Sequence, residues 1–245
     1  MKSEWFKEWF ESDEYLKVYN HRNTDDAEKL TTTLLGKIGL NRNSLILDAA
    51  CGNGRYSVLL AKKGFKVVGF DLSAKLLTIA RNNIKKESCN ILLFRADVRE
   101  VCLKTEFDLI LLAFTSFGYF ESDDENFKFI NSSYKLLKPK GYFVLDFLNE
   151  KYLRNNLVPF SEREFENLKI REERKIEKDR VIKKIIIENN RAKREYYEKV
   201  KLYDKDFIIN RMELIGYEIV DIFGDYNGSE FIPERSERLI IIGRK

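Results

Sequence analysis

Residues 45–56, LILDAACGNGRY, run an apolar stretch into Asp48 and then into two glycines one residue apart, Gly52 and Gly54. Glycine lets a backbone approach a ligand closely, so a glycine turn after a strand suits a nucleotide. Phosphate avoids a carboxylate, however, and Asp48 places one beside the turn. A dinucleotide fingerprint also wants a third small residue for close helix packing, and Ser57 stands at that position. The turn therefore suits a nucleoside without phosphate and with a cationic tail, whose ammonium Asp48 would welcome. Two further acids end the next two strand-like runs, Asp71 in VVGFDLS and Asp97 in FRADV. At the carboxyl edge of a parallel sheet, Asp71 could accept both hydroxyls of a ribose and Asp97 the amino group of adenine.

A ligand with a sulfonium, an amino-acid tail and an adenosine is S-adenosylmethionine. At these residues the sequence resembles the class I S-adenosylmethionine-dependent methyltransferases. LDAACGNGRYS looks like their first motif, VVGFDLS like their second-strand acid, RADV like their adenine-side motif and LLKPKGYFVLDF like the run into their fifth strand. The resemblance covers about residues 40–150 and returns in the closing strand pair. It implies that Gly52 and Gly54 line the methionine tail beside Asp48, that Asp71 with Leu72 meets the ribose, and that Asp97 with Val98 meets the adenine. It also implies that AFTSFGYF runs past the sulfonium, with Ala113 on the cofactor and Phe114, Phe117 and Tyr119 in the substrate pocket.

The elements that must position these groups follow from the hydrophobic pattern. SLILDAA is a continuous apolar run suited to a strand buried on both faces. GRYSVLLAKKG, SAKLLTIARNNIKK and ENFKFINSSYKLLK read as helices, and FKVVGFDL, NILLFRAD, FDLILLAF and GYFVLDF as strands. That alternation predicts a doubly wound parallel sheet. With YEIVDIF and RLIIIGR closing the chain, the expectation is a Rossmann-like seven-stranded sheet with an antiparallel last strand. Residues 1–40 predict a helical cap, with one helix from about Asp25 to Ile38. Residues 151–203 break the rhythm: LKIREERKI, VIKKIIIE and AKREYYEKVKLY, separated by EKD and NN, predict an inserted antiparallel meander. The expected domains are thus the cap at 1–40, a core at 41–150 and 204–245, and the insertion roofing the substrate pocket.

Methyl transfer from a sulfonium needs alignment and a dry cavity more than acid catalysis. Tyr15, Tyr19 and Arg22 are candidates to cover the cofactor, because aromatic faces attract a sulfonium and Arg22 suits a carboxylate. His21, the only histidine, is the candidate general base, since imidazole titrates near neutrality.

With 44 basic and 40 acidic residues the chain is nearly balanced, which argues against nucleic acid as the partner. The basic residues of REERKIEKDRVIKK are interleaved with acids, and AFTSFGYF lacks the N/D-P-P-Y/F clamp of enzymes that methylate base amino groups. A small-molecule acceptor is therefore expected, with methylation at N, O or S. An RNA or protein methyltransferase, or a non-catalytic cofactor-binding protein, is the alternative. Three cysteines in no metal-ligand spacing predict no metal and a reducing cytoplasm. The charged amino terminus is no signal peptide, and no run reaches membrane-spanning length. A monomer or homodimer off the membrane is expected.

Overall fold

The computed structural model describes residues 4–19, 24–189 and 192–245. Seven strands form the central sheet: β1 (Leu45–Ala49), β2 (Lys66–Asp71), β3 (Ile91–Arg95), β4 (Phe107–Leu112), β5 (Leu137–Leu148), β10 (Glu218–Phe223) and β11 (Arg238–Arg244). Their order is β10-β11-β5-β4-β1-β2-β3, and β11 lies antiparallel to both of its neighbours. The order reverses between β1 and β4, which pair in parallel. A crevice opens at such a reversal, outside the carboxyl ends of the strands.

Helices cover both faces, so inner strands bury their alternating side chains on both sides. On one face Leu47, Ile110 and Phe143 pack with Phe127 and Ile130 of α6 (Asp123–Leu136) and Ile208 and Met212 of α8 (Lys205–Ile215). On the other, Ile46, Leu109, Val144 and Ile240 pack with Leu30 and Leu34 of α3 (Thr24–Lys37) and Leu59 of α4 (Arg55–Lys62). The remaining core helix, α5 (Ala74–Lys86), is separated from β2 by two residues, and its N-cap Ser73 accepts the Leu76 N–H at 3.1 Å.

Between β5 and α8 the chain forms α7 (Glu150–Asn156) and a second, antiparallel sheet of β6 (Phe160–Phe165), β7 (Leu168–Glu177), β8 (Arg180–Glu188) and β9 (Lys193–Lys201), in that order. The sequence reading has three strands here and the structure has four. FSEREF forms β6, an edge strand that alternates exposed and half-buried residues, so it has no apolar run to reveal it. The amino-terminal segment forms α1 (Trp5–Phe10) and α2 (Tyr15–Val18) before α3. Trp9 and Val18 pack with Leu168, Ile170, Ile185 and Ile187, which fastens this segment to the inner face of the second sheet.

Candidate active site

The turn after β1 is left-handed at Ala50, Gly52 and Gly54, with φ of 52°, 55° and 77°. The two glycines differ in purpose. A Cβ on Gly52 would meet nothing within 4 Å, and Gly52 lines open space at the sheet edge. A Cβ on Gly54 would lie 3.0 Å from the Ala80 Cβ, so this glycine lets the start of α4 pack against α5. Gly52 thus faces the open space, and Gly54 faces the packing of α4 on α5.

Asp71, at the end of β2, is buried, and both of its oxygens are engaged. Oδ2 accepts the Gly52 N–H and Oδ1 the Ser73 N–H, each at 2.8 Å. Burial pushes its carboxyl above the ordinary range, against the pull of those two N–H groups. Each carboxylate oxygen keeps lone pairs for a further donor. Asp48, on β1, is likewise buried and accepts the Ser57 hydroxyl at 2.5 Å. Burial pushes Asp48 up to about 7, with the Ser57 hydrogen bond opposing. The Ser57 side chain thus serves the acid of the turn. Cys51 is buried beside them, and burial pushes its thiol well above the ordinary value, so it is inert packing.

Three cavities meet at this edge. The first is lined by Gly52, Asp71, Leu72, Asp97, Val98 and Phe10 among others. The second, beside Asp48 and Ala113, is bounded by Arg55, Tyr56 and Tyr19. The third, of about 340 Å³, lies between the core and the second sheet, with Leu148, Thr115, Tyr226 and Arg238 on one side and Arg174, Val181, Lys183 and Glu198 on the other. Among the described residues, Tyr15 and Phe114 line all three.

The chain after β4 reaches this junction through two consecutive left-handed residues, Phe114 (φ 62°) and Thr115 (φ 65°). Outside glycine this conformation costs roughly 1–2 kcal/mol per residue, so the surroundings must enforce it. Asp146, fully buried on β5, does so: Oδ2 accepts the Phe114 N–H at 2.8 Å and its main-chain carbonyl accepts the Thr115 N–H at 3.1 Å.

The amino-terminal segment closes the first cavity. The Phe10 carbonyl accepts the Ser73 hydroxyl at 2.9 Å, and Glu11 accepts the Ala74 and Lys75 N–H groups at 2.7 and 3.2 Å. Glu11 thereby satisfies orphan donors at the start of α5. Arg99 pairs with Glu4 at 2.8 Å and with Asp97 at 2.7 Å. Burial acts to raise the Asp97 carboxyl, but the Arg99 hydrogen bonds and charge outweigh it and hold Asp97 below the usual range. On the second sheet, Glu198 accepts from Trp9 Nε1 at 2.7 Å and from the Tyr19 hydroxyl, and pairs with Lys183 at 2.7 Å.

The sequence-predicted residues fall into distinct places. Asp48, Gly52, Asp71, Leu72, Asp97, Val98, Ala113, Phe114, Tyr119, Tyr15 and Tyr19 all line this connected space. Gly54 does not line it and serves helix packing instead. Phe117 lies outside this space, buried in the core against Phe127, Phe147 and Tyr203. His21 and Arg22 lie outside the described residues. Arg99, Asp146, Tyr226 and Arg238 were not legible as site residues, since each sits in an ordinary strand or loop context in the sequence. Among the described residues no cluster of metal-ligating side chains occurs, and no helix is long and apolar enough to cross a membrane.

Residues 46–141 match the family model of a methyltransferase domain. A putative methyltransferase, YqeM, of Bacillus subtilis (strain 168) is 35% identical over 102 residues, covering 41% of this chain and 41% of its own length. The chain thus spans less than half the length of this curated relative. Among solved structures, an S-adenosylmethionine-dependent methyltransferase from Clostridium acetobutylicum ATCC 824 superposes with a TM-score of 0.81 at 19% identity, covering 94% of this chain and 95% of that one. CalS10, an amino pentose methyltransferase from Micromonospora echinaspora solved with S-adenosylmethionine bound, gives 0.70 at 16% identity over 95% and 97%. At those identities the structural likeness is one of fold. Domain match, relative and fold agree that residues 46–141 carry a methyltransferase domain and that the chain has the fold of S-adenosylmethionine-dependent methyltransferases.

Proposed function

We propose that the protein transfers the methyl group of S-adenosylmethionine to a nitrogen, oxygen or sulfur atom of a small-molecule acceptor. The observation that carries this reading is the meeting of three cavities at Tyr15 and Phe114. Two of them have the chemistry for the donor, and the third is left for the acceptor.

The residues present fit the cofactor. Gly52 leaves room where any Cβ would stand. Asp71 offers a buried carboxylate for the ribose hydroxyls, and the wall around Leu72, Ala96 and Val98 offers apolar surface for the adenine. Asp48 faces the second cavity, where an amino-acid tail brings an ammonium. Bound there, S-adenosylmethionine supplies an activated methyl group that an acceptor lone pair displaces.

The chain's own contribution is placement and exclusion of water. Phe6, Phe10 and Tyr15 cover the first cavity from the amino-terminal side, and Tyr119 and Phe120 close it from the loop after β4. Their faces favour a cationic centre by roughly 0.5–2 kcal/mol. The third cavity is of a size for small ligands, which occupy about 300–1,000 Å³. Its walls combine Leu148, Leu153, Leu157, Val181 and Val200 with five charged side chains, Asp26, Arg174, Lys183, Glu198 and Arg238, so an acceptor there would be a small molecule bearing polar groups. The amino pentose activity named for CalS10, a protein of the same fold, supports an acceptor of that size.

The test is incubation with methyl-labelled S-adenosylmethionine and a metabolite-rich extract, followed by separation by size. Label in a small-molecule fraction is the expected result. Label confined to RNA or protein overturns the acceptor class.

A further inference from the structure

Beneath the junction of the three cavities lies a buried ion pair that the cofactor motifs do not include. Asp146 on β5 has no solvent exposure, and Arg238 opens β11. Arg238 donates from Nε to Asp146 Oδ1 at 2.8 Å, and its NH2 lies 2.7 Å from the same oxygen. The same NH2 donates to Thr115 Oγ1 at 2.9 Å, and the Tyr226 hydroxyl donates to Asp146 Oδ2 at 3.2 Å. The other face of Asp146 holds the Phe114 and Thr115 N–H groups. Three of these bonds end on two adjacent non-glycine residues in left-handed backbone, and the others hold Asp146 in place to make them.

Such strain persists where surroundings over-determine it, and it gathers at sites whose geometry matters. A fold that needed only to leave β4 could place glycine here and remove the strain. Instead a charge pair is buried, which gains little stability for its own sake. The groups thus fixed are the Phe114 ring, on the wall of all three cavities, and Thr115, on the wall of the third. Arg55 lies over that ring, 5.0 Å from its centroid, which limits its movement.

We propose that Asp146 and Arg238 are positioning residues that hold the Phe114–Thr115 turn against the transferring methyl group. They act through the turn and align donor with acceptor. The proposal rests on the methyl-transfer reading above.

S-adenosylmethionine and S-adenosylhomocysteine differ only by the methyl and its charge, so the ratio of their affinities reports on the wall beside the methyl. Calorimetric titration of wild type and Asp146→Asn with each ligand gives that ratio without an acceptor. The expected result is a loss of affinity for S-adenosylmethionine about five-fold greater than for S-adenosylhomocysteine, the size of one lost cation–π contact. Equal weakening of both ligands, or no change in either, overturns the proposal. If Asp146→Asn does not fold, Thr115→Val removes the Arg238 contact at nearly constant shape, and the same ratio decides. Wild-type protein that binds neither ligand overturns the methyl-transfer reading itself, and the positioning role with it.

Discussion

The Asp71 carboxylate accepts the Gly52 N–H at 2.8 Å, so the end of β2 is tied to the glycine turn it faces. One side chain thus shapes the turn and offers its remaining lone pairs to the first cavity. Asp71→Ala removes both functions. The expected loss in S-adenosylhomocysteine affinity is roughly 1.5–3 kcal/mol, that of a charge-assisted hydrogen bond. Calorimetry measures it, and an unchanged dissociation constant contradicts the ribose assignment.

The two glycines of the turn separate under substitution. Gly54→Ala meets Ala80 and keeps a left-handed φ of 77°. The expected cost is roughly 1–2 kcal/mol or more of stability, read as a lowered Tm. Gly52→Ala bears similar backbone strain at φ 55° with no clash, but its methyl intrudes on the cofactor space. It should lose S-adenosylhomocysteine affinity out of proportion to its change in Tm. Equal ratios of affinity loss to Tm loss in both variants would contradict the division of roles.

Asp48 introduces a pH dependence. Burial raises its carboxyl from 3.8 to about 7, so the folded protein holds this proton more tightly than the unfolded chain. Its contribution to stability is therefore full below the unfolded value and is lost as pH rises through about 7. Asp48→Asn cannot ionise. Its ligand-free Tm should decline less than that of wild type between about pH 4 and 7. Cofactor binding runs the other way, because an ammonium favours the ionised acid. Affinity for S-adenosylmethionine should rise with pH across this interval, until its own amine loses its proton near about pH 8. Parallel Tm profiles for the two proteins would remove Asp48 as the titrating group.

Arg99 couples the amino-terminal segment to the end of β3 through Glu4 and Asp97. Arg99→Ala removes one of the ties that hold the amino-terminal segment there, leaving the Phe10 and Glu11 bonds to α5 and the Asp71 contacts intact. Dissociation of S-adenosylhomocysteine should quicken by about five- to thirty-fold, as for roughly 1–2 kcal/mol of lost closure. Stopped-flow displacement measures the rate. A rate equal to that of wild type would show that the Arg99 tie does not govern release.

Much of this architecture was legible because it rests on local signals. The acids at the ends of β1 and β2 and the residues after β3 follow apolar runs whose direction the alternation with helices sets. Ser73 announces its helix as a cap. What escaped depends on contacts distant along the chain. Asp146 and Arg238 are 92 residues apart, and nothing local distinguishes either from a strand residue facing solvent. Phe117 was misplaced for a related reason. AFTSFGYF reads as one stretch past the cofactor, but left-handed residues at Phe114, Thr115 and Gly118 turn alternate side chains to opposite destinations. β6 lacked the apolar period that revealed β7, β8 and β9.

A structure of the protein with S-adenosylhomocysteine bound tests the central relationship most directly. The ribose hydroxyls are expected on Asp71 and the amino group on the Asp48 side of the turn. The sulfur is expected between Tyr15 and Phe114, with its open side toward the cavity of Thr115 and Arg238. A sulfur turned away from Phe114, or a ligand outside the Gly52 turn, would contradict the assignment of the three cavities to one methyl transfer.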